Sequence, residues 1–244
     1  MTKSPSPSPA QEEVAAYDAI IIGAGICGLC QLHLLRKMGL RVRVFERGTD
    51  VGGTWYWNRY PGARFDSESW SYGYSWSAEL LDEWEWSEHF SPQPEALRYV
   101  NHVADKFDHR RNIEFEASVE RAEFSDARNS WTVTLASGAQ ARAQLLITAI
   151  GVLSTPAMPA IDGIAEFSGE WYHTGLWPHE PVDFSNKRVA VIGTGATGVQ
   201  VIQEVAKTAG TLTVFQRTPN YCAPLKNRPI TPEEQVEIKA SYDD

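Results

Sequence analysis

The chain has 244 residues, 43% of them apolar, and a formal net charge of −9. That length can bury a large core or two domains sharing an interface, and the acidic balance argues against nucleic acid and anionic membrane as partners. No run approaches the roughly 18 apolar residues of a transmembrane helix, and three cysteines fit a reducing, cytoplasmic compartment.

Residues 1–16 are expected to form a disordered tail. Met1–Pro9 reads MTKSPSPSP, a Ser-Pro repeat that cannot build a packed core and lacks the apolar stretch of a signal peptide. Residues 17–47 then read strand, loop, helix, strand. The loop carries Gly23-Ala24-Gly25-Ile26-Cys27-Gly28 directly after the apolar run Ala19–Ile22. In this context the glycines permit a tight turn and close approach of backbone to a pyrophosphate, which the helix N-terminus then meets with free N–H groups. The second strand ends in Glu46, 23 positions after Gly23. A carboxylate there accepts hydrogen bonds from ribose hydroxyls and repels a 2′-phosphate, which suits FAD or NAD. Cys27 and Cys30 form a C-x-x-C, but their placement in the loop and its helix favours small buried hydrophobes over a redox disulfide.

Residues 48–90 hold six of the nine tryptophans, Trp55, Trp57, Trp70, Trp76, Trp84 and Trp86. An excursion of this length covers a ligand or another domain, or packs its aromatics together. Pro94–Phe107 has apolar residues at helical spacing, with proline near the start. Ile113–Leu135 holds two or three strands, and Leu145–Gly151 reads as a buried strand ending in a glycine turn beside the first fingerprint. Pro156 and Pro159 punctuate the crossing to a second fingerprint, Gly193-Thr194-Gly195-Ala196-Thr197-Gly198, which follows Val189–Ile192. Here the position 23 after Gly193 is Gln216, followed by Arg217. The acid is replaced by an amide and a guanidinium suited to bidentate phosphate binding, so this site reads as NADP; the bland reading of Arg217 is a solvated strand-end charge. Residues 221–244 turn polar and proline-rich, with a helix after Pro232.

The expected fold class is α/β, with two Rossmann-like dinucleotide-binding domains: FAD-binding over 17–152 and NADP-binding over 153–224, then the start of a helical segment over 225–244. From Lys187 only 58 residues remain, enough for one strand, one helix, one strand and a tail. A full dinucleotide domain uses more strands. The expectation is therefore an N-terminal portion of a longer enzyme, apparently truncated at its C-terminus.

Two further stretches name a chemistry. Phe167-Ser168-Gly169-Glu170-Trp171-Tyr172-His173-Thr174-Gly175-Leu176-Trp177-Pro178 resembles the F-x-G-x-x-x-H-T-x-x-W-P signature of type I Baeyer–Villiger monooxygenases. Gly52-Gly53-Thr54-Trp55, continuing through Tyr60-Pro61-Gly62 to Asp66, resembles the same family's G-G-x-W-x-x-x-x-Y-P-G-x-x-x-D element. Without the motif, His173 would read as a packed or surface histidine. The resemblance spans residues 17–244 and implies an enzyme that reduces FAD with NADPH and forms a flavin peroxide with O2. The peroxide attacks a ketone, one oxygen entering beside the carbonyl to give an ester or lactone. Such a peroxide needs a dry site and a nearby positive group. In the family an arginine supplies it and the aspartate of the second element pairs with it, which is Asp66 here. That arginine has no counterpart in this chain on motif grounds, and Arg59, Arg64 and Arg217 do not substitute for it.

The resemblance also gives His173 a part in linking domains and cofactor motions. The candidate FAD contacts are Gly23, Gly25, Gly28, Glu46, Gly53, Thr54, Trp55, Asp66, Tyr72 and, near the adenine, Val119. The candidate NADP contacts are Gly193, Gly195, Thr197, Gly198, Arg217 and Thr218. No metal and no protein partner is expected, only a ketone and O2. Flavin-containing N- or S-monooxygenases are the nearest rival, but they carry Ser after the signature histidine and Tyr or Phe at the place of Trp177. A pyridine-nucleotide disulfide reductase is a second rival, disfavoured by the cysteines lying in the phosphate loop. A catalytically inactive nucleotide-binding fragment is a third.

Overall fold

The computed structural model describes residues 14–243. Strand β1 (Ala15–Ile22) begins two residues inside the expected tail, because Ala15 and Ala16 already pair with Ala141 and Arg142. Helix α1 (Ile26–Lys37) and strand β2 (Val42–Phe45) complete the first βαβ half. Helix α1 buries Leu29, Leu32 and Leu35, spaced by three to share one face. It ends at Gly39, φ +82°. There Gly39 N donates to Arg36 O at 2.9 Å and Leu40 N to Leu35 O at 3.1 Å. This paired closure of a helix end favours glycine in the left-handed conformation.

The excursion after β2 holds the short helices α2 (Thr54–Trp57) and α3 (Ala78–Glu83), and α4 (Gln93–Lys106) follows. Most of its tryptophans pack together: Trp55 and Trp86 are buried in the core, and Trp70, Trp76 and Trp84 pack against it, whereas Trp57 lies against Tyr56 and Arg47. Phe65 joins them, edge-on to Trp55 at 4.8 Å and stacked on Tyr72 at 3.9 Å. Strands β3 (Ile113–Glu114), β4 (Val119–Ser125), β5 (Ser130–Leu135) and β6 (Gln140–Thr148) follow.

The six strands form one sheet in the order β3-β2-β1-β6-β5-β4, parallel through β6 and antiparallel beyond it. One face packs on α1 and α4. The other gathers Ile20, Phe45, Val133, Leu135, Ala141 and Ala143. Strand β6 corrects one expectation: Leu145 is 49% exposed and Ile150 56%, so the Leu145–Gly151 run is not buried. Strand β5 pairs only with Gln140–Ala143, which leaves the apolar second half of β6 with β1 alone beside it.

The second unit holds β7 (Arg188–Ile192), α5 (Ala196–Val205) and β8 (Thr211–Phe215), its two strands parallel. Helix α6 (Pro232–Ala240) opens on a capping box, Thr231 with Glu234. The segment before it returns to the first unit: His89 N donates to Arg228 O at 3.0 Å and Ile230 N to Ser87 O at 3.1 Å.

Candidate functional site

Both fingerprints adopt the same backbone. Gly23 sits at φ +101° and Gly193 at +104°, and each donates its N–H to the last residue of the second strand, Phe45 O at 2.8 Å and Phe215 O at 2.9 Å. A Cβ on Gly28 would lie 1.9 Å from Gly23 O, and one on Gly198 2.4 Å from Gly193 O. Only glycine lets each helix start that close to its own loop. Gly25 and Gly195 are the N-cap residues of α1 and α5, and no side chain caps either helix among the described residues. The first N–H groups of both helices are therefore left without a side-chain acceptor, the arrangement that takes a phosphate. Around Gly193 and Gly195 a Cβ would meet nothing within 4 Å, so the second loop has room for a diphosphate against its backbone.

The strand-end residues differ as their chemistry requires. Glu46, 5% exposed, accepts from Ala24 N and Gly48 N, both at 2.7 Å. Its carboxylate ties the phosphate loop to the strand end and retains lone pairs for a ribose. Gln216 reaches the equivalent place, its Nε2 donating to Thr194 Oγ1 at 2.7 Å; both links span 22 residues. Asn220 Nδ2 adds a bond to Thr194 O at 2.9 Å. Arg217 and Thr218 are exposed just beyond, and Arg217 has no ion pair among the described residues. Val119 lies at the start of β4, two residues after Ala117, whose N–H donates to Glu46 O.

The Gly52–Asp66 stretch joins the two sites. At one end Gly52 N donates to Ala24 O at 3.1 Å, and a Cβ on Gly25 would stand 3.2 Å from Gly53 Cα. At the other, the Tyr60-Pro61-Gly62 turn seats on α5. Tyr60 Oη donates to Gln200 Oε1 at 2.9 Å, and Gln200 Nε2 donates to Arg64 O at 3.2 Å. Gly62, φ +81°, would put a Cβ 2.7 Å from Gln200 O. The Tyr60 hydroxyl also lies beside Thr197 of the second fingerprint, and burial, with Asp66 nearby, raises its pKa. Tyr72 is raised likewise, by burial and then by Asp66. Thr54 is exposed while Trp55 turns into the core. Asp66 is exposed, with no ion pair among the described residues. The two nearby arginines are engaged elsewhere, Arg64 with Glu88 at 3.2 Å and Arg59 with Tyr56 O and His179.

His173 lies on the crossing between the units, just before the short turn Thr174–Leu176. Its Nδ1 accepts from Gly175 N at 3.1 Å, and its Nε2 faces Ala157 O at 3.2 Å. That pair of partners fixes the neutral Nε2–H tautomer, and the ring pins the crossing to itself. The cysteine expectation needs correction: Cys27 is exposed, Cys30 is half-buried, and both are free thiols. The phosphate loop turns the Cys27 side chain outward, whereas Leu29 and Leu32 take the buried face. Sequence reasoning passed over Tyr60, Thr194, Gln200 and Asn220. The last three are polar residues within or just after the second βαβ half, the one signal that could have marked them. Among the described residues no group of three or more His, Cys, Asp or Glu could hold a metal.

Two phosphate loops, each following a strand of a parallel pair, with one segment touching the first loop and the second unit's helix, define a two-nucleotide oxidoreductase frame. The chain belongs to the pyridine nucleotide-disulphide oxidoreductase family, whose profile matches residues 20–240. Within that class its homologues at 46–48% identity include Baeyer–Villiger monooxygenases, one of them 47% identical over 230 residues, from Pseudooceanicola batsensis, covering 94% of this chain and 42% of that protein. It is 48% identical over 225 residues to acetone monooxygenase (methyl acetate-forming) of Gordonia sp. (strain TY-5), covering 92% of this chain and 42% of that protein. It is 42% identical over 228 residues to phenazine N-monooxygenase PhzNO1 of Lysobacter antibioticus, covering 93% of this chain and 42% of that protein. A crystal structure of OTEMO in complex with FAD and NADP superposes with a TM-score of 0.90 at 48% identity, over 95% of this chain and 44% of that one. The chain thus spans less than half the length of the relatives it matches.

Proposed function

We propose that this chain carries the cofactor loops of an FAD- and NADPH-dependent Baeyer–Villiger monooxygenase. The enzyme joins a ketone, O2, NADPH and a proton to give an ester or lactone, NADP+ and water. The observation that carries this reading is the Gly52–Asp66 stretch, which touches the first phosphate loop with Gly52 and Gly53 and the second unit's helix with Tyr60 and Gly62. One segment held against both loops suits a reaction that must bring a nicotinamide and a flavin together.

FAD is assigned to the first loop, with its diphosphate on the α1 N-terminus and its ribose on Glu46. NADPH is assigned to the second, with Arg217 and Thr218 free to take the 2′-phosphate. Bound FAD supplies the chemistry that activates O2. The residues of this chain orient the two nucleotides, and the exposed Asp66 carboxylate is free to hold a cation beside the flavin. His173 fixes the crossing between the units. Three cysteines in 244 residues suit a reducing, cytoplasmic setting.

The test is purified enzyme containing this chain, assayed for bound flavin and for NADPH-dependent ester formation from a ketone panel by gas chromatography. Ester formation is expected. Oxidation confined to aromatic amines or phenazines would instead favour nitrogen oxygenation, the second reading, which the phenazine N-monooxygenase relative supports.

A further inference from the structure

Where α1 ends and β2 begins, an open cavity of about 750 Å³ lies on the first unit. Helix α1 separates it from the phosphate loop by 12 residues, or about 18 Å at 1.5 Å per residue. Arg36 and Lys37 reach it from the last turn of α1, Arg41 from the turn into β2 and Arg111 from the turn before β3, with His33 and Phe107 completing the wall. No carboxylate lines it among the described residues. Four cationic side chains therefore meet in one cavity of a chain whose net charge is −9.

Two of these cations are held by backbone carbonyls rather than by an ion pair. Arg36 Nη1 donates to Phe107 O at 2.9 Å and Asp108 O at 2.8 Å, and the Arg41 guanidinium donates to Ala16 O. Carbonyls orient a guanidinium but bring no formal charge, so its remaining donors stay available to an anion. Lys37 and Arg41 have no ion pair among the described residues. Of the four, Arg111 alone has an ion pair among the described residues, with Asp108 at 3.0 Å, both side chains well exposed; the Asp18 carboxylate accepts from Arg41 N at 2.6 Å and leaves the guanidinium unpaired. The cations act on one another: after burial, Lys37 and Arg36 hold His33 below the ordinary imidazole range, and after burial, Arg111 lowers Arg36 against the raising effect of Asp108. The helix macrodipole accounts for basic residues in the last turn of α1. It does not account for Arg41 and Arg111, which converge on the same cavity from other segments.

We propose that this cavity is a third anion site, separate from the two dinucleotide loops, that takes a small phosphate-bearing molecule of the pyrophosphate or nucleoside polyphosphate class. The experiment uses the full-length enzyme loaded with FAD and saturated with NADP+, so that both loops are filled. Pyrophosphate, and separately ATP, is titrated in by calorimetry. Saturable binding is expected, weakened about tenfold or more in Lys37→Glu and in Arg111→Glu, both exposed side chains whose change leaves the fold intact. Arg121→Glu, the same charge change on strand β4, is expected to bind as the parent does. Tighter binding of ATP would identify a nucleotide, and equal binding the phosphates alone; either supports the site. No heat up to about 10 mM ligand, equal affinity in both cavity variants, or an equal loss in Arg121→Glu would overturn it.

Discussion

Glu46 and Gln216 occupy the same place in their units, and one atom separates their chemistry. Glu46 accepts two backbone N–H groups at 2.7 Å, so Glu46→Gln must turn an amide donor toward one of them. That leaves a buried donor unmet at a cost of about 1–3 kcal/mol. The variant is expected to melt earlier and to lose FAD on dialysis; full flavin retention at an unchanged melting temperature would show that Glu46 organises nothing. Arg217 has no ion pair among the described residues and stands just past the strand end, and losing a charge-assisted phosphate contact costs about 1.5–3 kcal/mol. Arg217→Ala should therefore raise the KM for NADPH about tenfold or more and leave that for NADH nearly unchanged. Equal losses for both coenzymes would remove Arg217 from the 2′-phosphate. His109 makes a different prediction. It is fully buried with neither ring nitrogen bonded among the described residues. Burial, then Arg36 and His33, lowers its pKa to about 4, against the raising effect of Asp108. The unfolded chain binds this proton near pH 6.5 and the folded chain does not. The contribution of His109 is thus complete above pH 6.5 and is lost as pH falls toward about 4, by up to about 3 kcal/mol. His109→Phe, which keeps a ring beside Phe107 and His33, should flatten melting temperature against pH in that window; an unchanged slope would assign the acid sensitivity elsewhere.

Among the elements, the Tyr60-Pro61-Gly62 turn on α5 offers the sharpest contrast between two substitutions. Tyr60→Phe removes one 2.9 Å hydrogen bond and should cost about 0.5–1.5 kcal/mol. Gly62→Ala adds a Cβ 2.7 Å from Gln200 O at a φ of +81° and should cost more, about 1–3 kcal/mol from backbone strain alone. Stopped-flow reduction of the flavin by NADPH should slow further in Gly62→Ala, because the second unit must back away from the turn. Reduction at the parent rate in that variant would mean the turn only decorates the interface. This contact links residues 140 apart in the chain, which explains why sequence reading missed it. The fingerprints were legible because each packs all its chemistry into six neighbours, and α4 because its apolar spacing and Pro94 are local. Pro232 likewise marked the start of α6. The exposure of Leu145 and of Cys27 was not legible. Apolar composition says what a residue would gain from burial, whereas the reach of strand β5 decides whether β6 is covered.

On the scale of the molecule, apolar side chains lie open along the junction of the units. Val152 is 99% exposed just after the half-exposed end of β6, and Phe215, the last residue of β8, is 55% exposed. Such surface and free strand edges favour self-association. The 244-residue polypeptide made alone should therefore elute as aggregates on size exclusion, and a monodisperse monomer at tens of micromolar would contradict this. The return of Asn227–Ile230 onto Ser87–Phe90 sets the order of events at the ribosome. Residue 90 is synthesised, and then the second unit, before Ile230 can reach Ser87. At roughly 5–20 residues per second that interval is on the order of ten seconds. Until it ends, the aromatic core around Trp86 lacks Ile230, one of the side chains that pack against it. The nascent chain is thus in greatest need of a chaperone while its second nucleotide loop is being made, and a synonymous change that slows translation between these codons would lengthen that exposure without altering a single residue.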